Sequence, residues 1–393
     1  MKMKMKKWKK VILIILAVLA ILVAAVFYFL PVRLLIHTFT NNDGEMIEVR
    51  FGDTIPFVMN GGQMLFKAEI NGKPDTLMYD SGINSLMLMM YTPSTQPEGM
   101  KFYRHRVTGA DKKSKIKATT LPVMIGTSRV NNSGFAFAVL NPEPPLCEKR
   151  TISDHHLLGS EGFNIGHYML DFTHREIVFI SYIESIDTTG FVPIKCAMKR
   201  NALWVYPQIN GVEYECIFDT GNGNAGFLLK DEKRVRSPKE NDLVYEGSYG
   251  NAIGGRTNKQ RFVRTPQETF SFGGAEKETD ITYVKDLPFN NMGLKVISQF
   301  DWIVSDSRDA PKVYVRPHVI DEVPLFDAYR YKFFVSDGKL KIITRLLDGN
   351  EKFKVGDQIV SVNGEKITEE NICHYYDLLT ESKDWSGFEI RVK

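Results

Sequence analysis

The sequence predicts a mainly β protein made of two related β-rich halves, a small α/β module after them and one helix in front. Three observations lead to that class. One short pattern occurs twice in a single frame: Ile70-Asn71-Gly72 leads to Tyr79-Asp80-Ser81-Gly82, and Ile209-Asn210-Gly211 leads to Phe218-Asp219-Thr220-Gly221, with counterparts 139 positions apart. Most other apolar runs are of strand length and are closed by Asn-Gly, Asp-Gly or Gly-rich turns. Val11 to Leu30, finally, is a run of twenty residues without a charge. The duplicated pattern carries the chemistry, because a fold that repeats Asp-Ser/Thr-Gly in two equivalent halves can bring one carboxylate from each to a pseudo-twofold axis.

From the N-terminus, Lys2, Lys4, Lys6, Lys7, Lys9 and Lys10 make residues 1–10 a basic tail. Twenty residues at the helical rise span roughly 30 Å, the thickness of a bilayer core, so residues 11–30 are predicted to be a transmembrane helix acting as a signal anchor. The lysines place the tail in the cytoplasm and the bulk of the chain on the periplasmic or extracytoplasmic side of an inner membrane crossed once. Secretion after signal-peptide cleavage near Val23-Ala24-Ala25 is the alternative, disfavoured because Val26 to Leu30 prolong the apolar run past that site. Residues 31–50 read as a linker with a turn at Asn41-Asn42-Asp43-Gly44.

The first half covers residues 51–190 and the second 191–320. Each opens on a strand, Ile55-Pro56-Phe57 or Val192-Pro193-Ile194, and continues into a hairpin whose Asn-Gly turn accepts the two positive φ angles of type I′. Thr76 to Tyr79 and Glu215 to Phe218 are then strands that deliver each Asp to a loop, with Leu86 to Met90 and Phe227 to Leu229 as the next apolar stretches. Glycine-bearing hairpin tips follow at Gly109 and at Tyr249-Gly250 through Gly254-Gly255, suited to closing over a cleft. Both halves end alike, Leu157-Leu158-Gly159 and Asn291-Met292-Gly293 each preceding a final pair of strands. Residues 325–393 form the α/β module: strands at Tyr331 to Val335, Leu340 to Ile343 and Gln358 to Val362, turns at Asp337-Gly338, Gly356-Asp357 and Asn363-Gly364, a helix over Glu369 to Glu381 and a last strand at Phe388 to Val392.

Composition narrows the function classes. With 43% hydrophobic and 25% charged residues the chain is globular rather than disordered. The six tail lysines outweigh the net charge of +3, so the remainder is acidic overall and no basic surface supports a nucleic-acid partner. Cys147, Cys196, Cys216 and Cys373 are scattered, which argues against a zinc site; one disulfide is compatible with an extracytoplasmic location, its pairing unreadable from sequence. His155, His156, Glu161 and His167 match no metal-ligand spacing, and no metal or other cofactor is expected.

At the paired Asp80-Ser81-Gly82 and Asp219-Thr220-Gly221 the chain resembles the retropepsin-like aspartic proteases of pepsin and retropepsin type, here as a single two-lobed polypeptide, over roughly residues 51–318. Leu157-Leu158-Gly159 and Asn291-Met292-Gly293 resemble the apolar-apolar-Gly element that packs beside the active loops of that family. The tail, through Val355-Gly356-Asp357-Gln358-Ile359-Val360-Ser361-Val362-Asn363-Gly364, resembles a short PDZ-like domain. Ile83 and Asn222 depart from the family, which usually has a small residue there.

The resemblance implies a membrane-anchored aspartic endopeptidase acting on a peptide or protein substrate. Asp80 and Asp219 would be its catalytic acids, Ser81, Gly82, Thr220 and Gly221 their support, and Gly109, Tyr249, Gly250, Gly254 and Gly255 the flaps. Two carboxylates about 3 Å apart share a proton and activate a water between them; such proteases are the standard worked case of that pattern. Gly356, Asp357, Asn363 and Gly364 would mark a module that takes a peptide ligand by strand addition. The alternative is a catalytically inactive relative that binds peptides in the cleft and at the PDZ-like domain.

Overall fold

A computed structural model describes residues 2–29, 54–60, 62–83, 87–90, 105–108, 115–126, 131–140, 147, 155–160, 167–180, 187–199, 202–223, 225–252, 255–305, 310–318, 328–382 and 385–393. The protein is mainly β, with 52% of the described residues in strands and 14% in helices, organised in two large sheets. The predicted linker at 31–50 lies outside the described residues.

The two halves meet in a sheet to which both contribute. Six strands lie side by side in the order Val192–Ile194, Lys312–Pro317, Phe300–Ser305, His167–Asp171, Glu176–Ile180, Thr54–Asn60, every neighbouring pair antiparallel. The seam is the pairing of Phe300–Ser305 with His167–Asp171, where Trp302 faces Leu170. Asp301, fully buried, ties the seam: its carboxylate accepts hydrogen bonds from the backbone amides of Phe172 and Thr173 at 2.9 and 3.2 Å and pairs with Arg316 at 3.0 Å. A buried carboxylate met by several donors is compensated for its lost hydration.

Above the seam both halves repeat one local plan. Asn71-Gly72 and Asn210-Gly211 both adopt positive φ, near 50° at each Asn and 75° and 77° at the glycines, the type I′ geometry expected of them. The strand Lys73–Tyr79 grows steadily more buried toward its end and pairs in parallel with His156–Leu158; Cys216–Asp219, buried through Phe218 and half-buried at Asp219, pairs in parallel with Asn290–Gly293. Alternation of exposed and buried positions would suit a surface sheet, but here the strand ends are buried on both faces, which suits parallel pairing. An aromatic cluster underlies the second loop: Phe218 packs edge-on to Trp302 with ring centroids 4.7 Å apart, and Phe272 lies 5.5 Å from both Phe300 and Trp302. Each such ring contributes about 1.5–3 kcal/mol through burial.

The C-terminal strands are continuous with the sheet of the second half. Lys339–Leu346 pairs with Leu243–Gly247, Gly247 lying opposite Thr344. Gly247 has φ +137°, and a Cβ there would sit 2.2 Å from the Ile343 carbonyl oxygen, so only glycine lets the two backbones approach. Thr344 Oγ1 donates to the Ser248 carbonyl at 2.7 Å, and Arg345 pairs with Glu246 at 2.8 Å. The tail's own core gathers Tyr331, Phe333, Leu340, Ile359, Ile372 and Leu379, and a Cys147–Cys373 disulfide joins it to the first half across 226 residues. Its helix runs Ile372–Glu381 and its last strand Ile390–Val392, both starting later than the apolar pattern suggests.

The N-terminal helix spans Lys2–Phe29, taking in the lysine tail as well as the apolar run. Its described side chains, residues 8 and 12–24, are exposed. Over the described residues, no helix is long and apolar enough to cross a membrane.

Candidate active site

Strands Lys73–Tyr79 and Cys216–Asp219 end at two facing turns. The turns have the same backbone closure: the Ile83 amide donates to the Asp80 carbonyl at 3.2 Å and the Asn222 amide to the Asp219 carbonyl at 3.2 Å. They are locked by a reciprocal set of hydrogen bonds. The amide of Ser81 donates to Thr220 Oγ1 at 2.9 Å, and the amide of Thr220 donates to Ser81 Oγ at 3.0 Å. Each hydroxyl in turn donates beneath the opposite turn, Ser81 Oγ to the Phe218 carbonyl and Thr220 Oγ1 to the Tyr79 carbonyl, both at 2.8 Å. A hydroxyl can donate and accept at once, so Ser and Thr satisfy two buried backbone groups each where an apolar residue would orphan them. Ser81 and Thr220 are themselves buried.

This lock sets the two carboxyls against one another. The Gly82 amide donates to Asp80 Oδ1 at 3.1 Å and the Gly221 amide to Asp219 Oδ1 at 3.0 Å, while the carboxyls share a hydrogen bond. The two glycines also make room. A Cβ on Gly82 would stand 2.5 Å from Asp219 Oδ1, and one on Gly221 would stand 2.3 Å from Asp80 Cγ, so any side chain at either position overlaps the opposite acid. Ile83 and Asn222 contribute through their backbone, each amide donating to the carboxylate of its own turn. Asn222 Nδ2 is buried with no hydrogen-bond partner among the described residues.

The acids are not equivalent electrostatically. Burial, then the charge of Asp219, pushes the Asp80 carboxyl well above the ordinary carboxylate range. Burial also raises Asp219, to about 6, but the amides of Gly221 and Asn222, the Asp80 hydroxyl and Asn291 all donate to it and hold it down. Asn291 Nδ2 lies 2.6 Å from Asp219 Oδ2. Both carboxyls are raised by burial, and in contact with one another they titrate as a coupled pair.

Other predicted positions fall elsewhere. Gly109 and Gly254 lie outside the described residues. Tyr249 and Gly250 sit in a loop organised by Thr257, whose Oγ1 accepts from their amides at 3.1 and 3.3 Å, and Gly255 belongs to a two-residue pairing with Asn251–Ala252. Gly356, Asp357, Asn363 and Gly364 are turn formers of the C-terminal module: Gly356 and Gly364 have positive φ, Asp357 caps the Lys354 amide at 2.8 Å and Asn363 Oδ1 accepts from Glu389 at 2.9 Å. His156 pairs with Asp75 at 3.4 Å, and no group able to hold a metal ion occurs among the described residues. Nothing in the sequence signals the part played by Thr257, and the one signal for the contact of Asn291 with Asp219 is its polarity inside an otherwise apolar element. Compared with known protein families and with curated proteins, the chain matches none.

Proposed function

We propose that the protein is a membrane-anchored aspartic endopeptidase that hydrolyses peptide bonds through Asp80 and Asp219, and that its two halves are the lobes of a retropepsin-like fold. The observation that carries this reading is the reciprocal Ser81–Thr220 locking, which holds two buried carboxyls in hydrogen-bond contact with raised proton affinity. Structural ion pairs bring unlike charges together; two acids pressed together cost stability and are found where that cost serves chemistry.

In the reaction a water between the acids loses a proton to ionised Asp219 as its oxygen attacks the substrate carbonyl. Asp80 donates its proton to the carbonyl oxygen, giving a neutral tetrahedral diol. Collapse breaks the C–N bond while the proton held by Asp219 passes to the leaving nitrogen, and the diol hydroxyl returns a proton to Asp80. Both acids finish as they began, and no covalent enzyme intermediate forms.

The anchor is read from the exposed apolar side chains of residues 12–24 on a helix that starts among lysines. The C-terminal module is read as an abbreviated PDZ-like domain that takes a peptide ligand or governs access to the cleft. Its strand Lys339–Leu346 is hydrogen-bonded to Leu243–Gly247, which leads into the loop at Tyr249 and Gly250.

Digestion of a denatured protein library by the full chain between pH 3 and 7, read by mass spectrometry, tests the catalytic reading. We expect cleavage by the wild type and a loss of about 10³-fold or more in both Asp80→Asn and Asp219→Asn. Peptide binding without cleavage, unchanged in either variant, would instead favour an inactive binding protein.

A further inference from the structure

The dyad has one donor that its pseudo-symmetry does not supply twice. Within the parallel pairings Leu157 lies opposite Met78 and Leu158 opposite Tyr79; in the other half Asn291 lies opposite Ile217 and Met292 opposite Phe218. Leu157 and Asn291 are thus equivalent positions beside the two active turns. Leu157 is apolar and fully buried, whereas Asn291 reaches Asp219 Oδ2 at 2.6 Å. The remaining contacts are matched on the two sides, since each carboxyl accepts from the amide of its own glycine and of the next residue. Among the described residues, Asn291 is the side chain that donates to one acid and has no counterpart on the other.

Resting on the dyad reading above, we propose that Asn291 is a positioning residue that assigns the roles of the two acids, holding Asp219 as the base and leaving the proton on Asp80. An N–H donor stabilises a carboxylate and gives nothing to a carboxylic hydroxyl, so donation to one acid alone breaks the degeneracy of a shared proton. The consequence is directional: water is deprotonated from the Asp219 side and the carbonyl is protonated from the Asp80 side. Bound peptide therefore has one productive orientation of its scissile carbonyl. Among the described residues, the titratable group facing Asp219 is Asp80 on the opposite turn; its other contacts are the two backbone amides and the Asn291 carboxamide.

The test uses Asn291→Leu, which copies Leu157, with Asn291→Ala as a smaller truncation and Asn291→Gln as the variant that keeps a carboxamide. The first readout is the thermal midpoint of the full chain at pH 4 and pH 7, which needs no turnover. Free carboxyls in the unfolded chain titrate near 4. Losing the donor raises the folded-state affinity of Asp219 for its proton, so folded protein holds more protons than unfolded across this interval and loses stability as pH rises. The midpoint deficit of Asn291→Leu and Asn291→Ala should be about 2–4 °C greater at pH 7 than at pH 4, with Asn291→Gln closer to wild type. The second readout is the pH–rate profile, whose acid limb should move up by about one pH unit in the Leu and Ala variants. A deficit equal at both pH values, with Gln no better than Leu, would mean that Asn291 only packs and would overturn the assignment. If wild type cleaves nothing, the protease reading falls while the midpoint measurement still decides whether Asn291 biases the pair.

Discussion

Ser81→Ala is expected to destabilise the protein by about 2–5 kcal/mol, far more than loss of one exposed hydroxyl. Ser81 Oγ serves two buried backbone groups of the opposite half, the Phe218 carbonyl at 2.8 Å and the Thr220 amide at 3.0 Å. Alanine leaves both without a partner, and each orphan costs about 1–3 kcal/mol. Thr220→Val is the matching change: it keeps the side-chain shape while abandoning the Tyr79 carbonyl and the Ser81 amide. The hydroxyls are linked through the same two turns, so the double variant should lose less than the sum of the singles. Denaturant unfolding of the four proteins measures this; strict additivity would show that the turns are not locked to one another. Cleavage should fall along with stability, because the carboxyls are placed by these bonds.

Gly221→Ala should be worse for activity than for folding. Its Cβ would stand 2.3 Å from both Cγ and Oδ1 of Asp80, so the Asp80 carboxyl must leave its place. Displacing a reacting group by about 1 Å costs about 10²-fold, and losing the shared proton compounds it, for an expected fall of about 10²- to 10³-fold in kcat. Gly387→Ala is the control, since a Cβ there meets nothing within 4 Å. Retained activity in Gly221→Ala would mean that Asp80 does not work from this position.

What was legible in the sequence follows from what is local. Asn71-Gly72 and Asn210-Gly211 set their own turns, and the Asp-Ser/Thr-Gly triplets repeat in one frame, so the equivalence of the two turns is written in the sequence. Ile83 and Asn222 depart from the family in their side chains, whereas what the structure adds is the role of their amides at the carboxylates, which a sequence does not display. Asn291 stands in the sequence as the first member of a triplet resembling the apolar-apolar-Gly element; which way its side chain points depends on its register against Cys216–Asp219, which spacing alone does not give. Cys147 and Cys373 are 226 residues apart, and four cysteines allow several pairings. The joining of Lys339–Leu346 to Leu243–Gly247 is an edge pairing made by backbone, foreshadowed by nothing except a glycine at position 247.

All of this depends on Asp80 and Asp219 titrating together, which ¹³Cγ-aspartate NMR of the full chain measures directly when the signals are assigned with Asp80→Asn and Asp219→Asn. We expect both carboxyls above the ordinary range near 4, Asp219 at about 6 and Asp80 well above its usual range, with each Asn substitution moving the partner's midpoint. Removing the charge of Asp219 should lower Asp80, since that charge is one of the causes raising it. Two independent midpoints near 4, each indifferent to loss of the other acid, would contradict a shared proton and with it the proposed chemistry.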